Sequence, residues 1–251
     1  QGWFPKERGS PYRLYALSNL AALVTLVAQG SLIDAQLALS EQSYAWSALY
    51  LVFALSGAVC TLKQRNHRRK QGRQSLKARS GLRCFTLSFL SSALLLSLSN
   101  PITLECGSSP IFWTLPLLIF LGTYALAFSP KNALSRSRGA SSAPRWIRHL
   151  WPHFALLGLF FYAGADLPLE WAKPAVFIVV FFVLAWAMHG EIYAERPRSE
   201  ALTSYYLWLA LGGWMGGSAV ALLAPKLFSS LAEFPLTLIA FALFMAWNRR
   251  T

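Results

Sequence analysis

The sequence predicts an all-α fold: a polytopic membrane helix bundle with about eight transmembrane helices and both termini in the cytoplasm. Three observations lead to this fold class. Hydrophobic residues make up 55% of the 251-residue chain and charged residues only 13%, about half the charged share of a soluble domain. The apolar residues form long runs, and a bilayer-crossing helix needs roughly 20 of them in succession. The basic residues lie mainly between alternate runs.

Eight apolar segments follow one another along the chain. They cover residues 14–33, 44–62, 84–99, 110–128, 150–165, 174–189, 205–224 and 235–247. The first, second, fourth and seventh have the length of a spanning helix. The other four are short, so we expect them to begin in flanking interfacial residues, to tilt little or to thin the bilayer locally.

Prolines surround the third and fourth segments. Pro101, Pro110 and Pro116 bracket them and predict a broken or re-entrant region at residues 100–109. Such a region would have to line protein or water, because unpaired backbone is not tolerated against lipid.

The Lys and Arg residues predict the orientation. With the amino terminus in the cytoplasm, every Lys and Arg except Lys173 and Lys226 lies on the cytoplasmic side, as the positive-inside rule requires. Residues 63–83 and 129–149 are then basic cytoplasmic loops within a single integral membrane domain covering residues 1–251. We interpret the 63–83 loop as a topological anchor on anionic lipid, or alternatively as a docking site for an acidic protein.

The net charge of +13 would suggest nucleic-acid binding in a soluble protein. Here the positive charge follows the membrane topology, and no basic surface interleaved with aromatic residues accompanies it. We therefore expect no nucleic-acid partner. The lipid bilayer and other membrane protein subunits are the expected partners.

Motifs for catalysis and for metal or nucleotide binding are missing from the sequence. We therefore predict no enzyme activity, no metal site and no cofactor. Polar residues within or near apolar segments are rare, and by default they mark function. The candidates for a polar path are Asn19, Asn100, Glu105, Asp166 and Glu191. His153 and His189 are candidate ligands of a haem or pigment, although a histidine bonded to backbone or water is the simpler interpretation.

The seventh segment contains four glycines at helical spacing. Gly212 pairs with Gly216, and Gly213 with Gly217. Small residues four positions apart let another helix approach to backbone contact, so these glycines predict tight helix packing, within the chain or with a partner. A hinge or a pore-lining face is the alternative.

Several stretches together resemble a known family. They are His-Gly-Glu at 189–191, Arg-Pro at 196–197, Leu-Thr-Ser-Tyr-Tyr-Leu at 202–207, the four glycines, Ala-Pro at 224–225, Phe228, Glu-Phe-Pro-Leu at 233–236, and the segments 11–20 and 112–117. This pattern is similar to the membrane region of bacterial proteins that fuse a major-facilitator-like region to a spermidine-synthase-like domain. The resemblance covers about residues 11–246 and implies a multi-pass protein of the bacterial inner (cytoplasmic) membrane. The synthase domain is not among these residues, so aminopropyl transfer is not implied.

Three functional hypotheses follow. The first is a non-catalytic membrane subunit or scaffold that packs against a larger membrane complex or anchors a partner. The second is a facilitator for a polyamine or another organic cation. The third is a haem- or pigment-binding membrane subunit.

Overall fold

The structure, a computed structural model, describes residues 11–65, 76–106, 110–129, 140–165, 167–169, 171–197 and 201–248. These residues are helical with no strand, which confirms the predicted all-α class. The eight longer helices are numbered here in chain order. They are α1 (Pro11–Ala28), α2 (Leu39–Arg65), α3 (Ala78–Cys106), α4 (Pro110–Ala127), α5 (Arg145–Tyr162), α6 (Ala172–Ala194), α7 (Leu202–Ser218) and α8 (Glu233–Asn248).

Within the described residues, five helical stretches are long and apolar enough to cross a membrane by length and composition. They are Ala16–Gln36, Leu39–Leu62, Ala78–Glu105, Ala172–Ala194 and Leu202–Leu227. Two shorter apolar helices cover Thr114–Ala127 and Glu233–Trp247. These helices are compatible with a membrane protein, whereas the number of crossings and the location of the termini stay predictions.

The predicted break at residues 100–109 is wrong for the part that the structure describes. Helix α3 continues through Pro101 to Cys106, and Pro116 lies inside α4. Membrane helices tolerate proline because nearby hydroxyl groups and neighbouring helices can satisfy freed backbone groups. Near Pro101, the hydroxyl groups of Ser99 and Thr103 donate to the carbonyls of Leu95 and Ser99, although neither bond reaches the Ser97 carbonyl that loses its donor at Pro101. Residues 107–109 lie outside the described residues.

The larger of two compact units contains residues 1–23 and 74–251. Contacts between its helices define their relative directions. Ion pairs join Arg83 to Glu195 and Lys173 to Glu105 at opposite ends of α3 and α6, so these two helices are antiparallel. Hydrogen bonds between α3 and the start and middle of α7 show that these two helices run parallel. Ring contacts show that α5 runs antiparallel to α6 and α8. Helix α4 is parallel to α6.

Helix α6 is the most buried of the long apolar helices in this unit. In the most apolar stretch of α6, 61% of the residues are buried, compared with 56% in that of α3 and 28% in that of α7. Phe177, Phe181 and Leu184 are among the fully buried side chains, and they pack with large apolar residues of α3, α5 and α8. The core therefore lies inside a helix bundle.

The second unit contains residues 24–73. A polar cluster fixes its turn: the amide of Gln29 donates to Asp34 Oδ1 at 2.6 Å and to Gln42 Oε1 at 2.8 Å. Gln42 in turn donates to the Leu37 carbonyl at 3.0 Å. The cluster joins the π-helical turn Gln29–Ile33 to the first turns of α2.

Candidate functional site

The glycines of α7 lie where this helix crosses α3. A Cβ atom at Gly212 would overlap the carbonyl oxygen of Phe85, and one at Gly216 would overlap that of Phe89. Gly213 is less crowded, since its Cβ would lie 3.2 Å from the Ser92 hydroxyl. Glycine at these positions thus permits backbone-to-backbone contact within the chain. Ser88 adds a hydrogen bond of 2.7 Å to the Leu209 carbonyl in the same crossing.

Asn100 lies at the far end of α3, where α8 begins. Its amide donates to Glu233 Oε1 at 2.8 Å, and Glu233 is largely buried. Both residues line an open cavity of about 820 Å³ together with Ser99, Thr103 and Ser229. The pair therefore joins two helix ends beside an open groove whose lining is mainly apolar.

The other polar candidates lie apart from Asn100 and Glu233 or are paired differently. Glu105 forms an ion pair with Lys173 at 2.9 Å. Glu191 lies near the opposite end of the unit, close in sequence to the Glu195 that binds Arg83. Asn19 is half-buried on α1, and Asp166 lies outside the described residues. The candidates that the structure describes are thus distributed over both ends of the helices.

The two candidate histidine ligands have different environments. His153 is exposed on α5. His189 is fully buried, its Nδ1 lies 2.9 Å from the Thr123 hydroxyl, and its ring stacks on Tyr124 with centroids 3.6 Å apart. Phe120 packs edge-on against the same ring at 4.9 Å. The two histidines therefore do not share a site.

Helix α2 presents small residues along one face. Ser43, Ser47, Ala54, Gly57 and Thr61 follow one another at intervals of three, four or seven residues, and each is exposed. Helical spacing places all five within one narrow stripe, which Tyr50 interrupts. We call these five residues the α2 small face. A Cβ at Gly57 would meet no atom within 4 Å, so the stripe is open there.

The side of α2 opposite the small face carries larger apolar side chains. Leu49, Val52, Leu55 and Val59 lie on the side opposite the α2 small face and are also exposed. No residue of the most apolar window of α2 is buried. The hydroxyl groups of Ser47 and Thr61 donate to carbonyl groups of their own helix at 2.8 Å, so both are satisfied without water.

No family model, curated protein or solved structure matches this chain. The described residues also contain no group of three or more His, Cys, Asp or Glu side chains that could hold a metal ion.

Two features of the structure were not predicted from the sequence. Glu233 is not among the polar residues predicted from the sequence to be functional, although it lies just before the apolar segment 235–247 and therefore near a predicted helix start. The α2 small face was not predicted, because its serine, alanine and threonine residues lie in or beside a long apolar run and do not stand out from it. Its signal was present in the sequence as small residues at helical spacing.

Proposed function

We propose that this chain is a non-catalytic integral membrane subunit that packs against another membrane protein through helix α2. The observation that carries the proposal is the α2 small face, from Ser43 to Thr61, which no part of its own unit covers. In lipid, apolar burial does not drive helix association, so interfaces depend on close packing of small residues. An exposed stripe of this kind favours a protein helix as its neighbour.

The side of α2 opposite the small face supports the proposal that α2 faces lipid on one side and protein on the other. Leu49, Val52, Leu55 and Val59 present branched aliphatic side chains, which suit contact with acyl chains. A helix that faced only lipid would have no need of a separate small-residue side. The asymmetry therefore supports a helix with one face toward lipid and one toward protein.

The membrane topology is part of the same proposal. We infer eight crossings of a bacterial inner membrane with both termini in the cytoplasm, and we keep the resemblance to the membrane region of the fused synthase-like proteins. The support is that α3, α5 and α7 run in one direction and α4, α6 and α8 in the other. Arg83, Arg145 and Arg148 lie together at the proposed cytoplasmic end.

The two competing functions have less support. Asn100 and Glu105 are engaged with Glu233 and Lys173, and Glu191 lies at the other end, so a polyamine path has no continuous row of carboxylates in the described residues. His189 is fully buried among Tyr124 and Phe120 on α6, whereas His153 is exposed on α5, so the two candidate histidines do not form a pair of axial haem ligands.

A mild-detergent purification from the native membrane tests the subunit proposal. We expect a partner at fixed ratio, identified by mass spectrometry, with the wild type and with Val59→Leu. Gly57→Leu should lose the partner, because a large side chain on the α2 small face prevents close approach. The open space around Gly57 means that the variant should fold normally. Co-elution that is equal for the wild type and both variants, or a wild type that elutes alone, would contradict the proposal.

A further inference from the structure

A basic cavity lies at one end of the larger unit. It has a volume of about 790 Å³ and opens where α3 and α5 begin and α6 and α8 end. Its lining includes Arg83 of α3, Arg145, Arg148 and His149 of α5, and Glu191 of α6. This volume is within the range of roughly 300–1,000 Å³ typical of small-molecule sites.

The charge of the cavity favours an anion. Arg83 is already bound to Glu195 at 2.6 Å, and Glu191 adds a second carboxylate near the cavity. Three guanidinium groups, one of them paired with Glu195, and the His149 ring line the cavity together with the Glu191 carboxylate. Guanidinium groups match phosphate oxygens with two parallel hydrogen bonds, so a phosphate group fits this lining better than a simple halide.

The position of Arg145 and Arg148 at the start of α5 adds to this argument. Pro144 at the N-cap makes no side-chain capping hydrogen bond, and the first turn of α5 contains no acidic residue. Arg145 and Arg148 instead place positive charge at the positive end of the helix dipole, an unfavourable arrangement. A bound anion would accept hydrogen bonds from the first N–H groups of the helix and lie favourably at the positive end of its dipole.

We propose that the cavity lined by Arg83, Arg145, Arg148 and His149 binds a phosphate group of an anionic ligand. A phospholipid headgroup and a soluble phosphate compound share this chemistry. The exposed side chains of Trp146 and Leu150 flank Arg145 and His149 in the sequence. Aromatic residues of this kind prefer the headgroup level, where basic pockets between membrane helices bind anionic lipids.

The test uses the full chain in nanodiscs and measures its unfolding temperature. One arm compares pure phosphatidylcholine with a mixture that contains phosphatidylglycerol. The other adds inorganic phosphate to phosphatidylcholine nanodiscs, with chloride at equal ionic strength as the reference. A rise with phosphatidylglycerol alone identifies a lipid headgroup, and a rise with inorganic phosphate identifies a soluble ligand; both support the proposal.

Variants separate the cavity from general surface charge. Arg145→Gln with Arg148→Gln should abolish the rise. Lys77→Gln with Arg79→Gln removes the same charge from exposed positions at the same end of α3 and should retain it. Glu191→Gln should enlarge the rise because it removes a carboxylate from the lining, and this variant tests the proposal even if the arginine variant does not fold. No rise with either probe, or an equal loss in both double variants, would overturn the proposal.

Discussion

At the scale of single residues, Gly212 and Gly216 determine how closely α7 approaches α3. The carbonyl oxygens of Phe85 and Phe89 occupy the space that a side chain at these positions would need. Because the obstacle is backbone, the neighbouring helix cannot adjust by a change of rotamer. The crossing therefore depends on the lack of a side chain at two positions one helical turn apart.

Replacing Gly216 with alanine should separate the two helices and destabilise the bundle. Overpacking in a well-packed region costs about 1–3 kcal/mol, so we expect a lower unfolding temperature in detergent. Gly217→Ala is the matched control, because its Cβ would lie 3.6 Å from Leu96 Cδ1, an ordinary contact distance. Equal destabilisation by both substitutions would show that helix propensity, and not the crossing, explains the effect.

The hydrogen bond between Asn100 and Glu233 leads to a second prediction about single residues. Asn100→Ala removes the 2.8 Å hydrogen bond to a largely buried carboxylate. Hydrogen bonds to charged groups contribute about 1.5–3 kcal/mol, and the exposure of Asn100 should reduce the loss to about 1 kcal/mol. The unfolding temperature measures it, with Ser99→Ala as a control that removes only a hydrogen bond within α3. A larger effect of the control would contradict this account of the groove.

At the scale of elements, the sequence predicted where helices lie better than where they end. Each of the eight apolar segments falls on a helix, but α3 starts at Ala78, before Arg79 and Arg83, and continues past Pro101. Hydropathy cannot detect a helix that extends into charged residues, and the effect of a proline depends on its neighbours. Pairings such as Arg83 with Glu195 join residues far apart in sequence and needed the structure.

The ion pair between Arg83 and Glu195 should couple the beginning of α3 to the end of α6. The side chains are 32% and 13% exposed, so the pair is partly screened and its coupling should be about 1 kcal/mol. Arg83→Glu should lower the unfolding temperature because it places two carboxylates together. Adding Glu195→Arg should restore part of the loss. A double variant no more stable than Arg83→Glu would indicate that the two residues are not coupled.

At the scale of the whole molecule, the alternating helix directions and the basic end of the bundle make a prediction about sidedness. In a chain without its natural cysteines, Cys at Ser141 should react with a membrane-impermeant thiol reagent only from the cytoplasm. Cys at Ser229 should react only from the outside, because it lies beside Asn100 and Glu233 at the opposite end of α3. Labelling of both positions from one side would contradict the proposed orientation.

The α2 small face is proposed to bind another membrane protein. Photocrosslinking in native membranes tests this proposal most directly, with a photoreactive residue placed singly at Ser47, Ala54 or Gly57 and, for comparison, at Leu49, Val52 or Val59. We expect crosslinks to one partner protein from the first three positions and none from the others. Crosslinks confined to lipid, contained within one chain, or equally strong from both faces would contradict it.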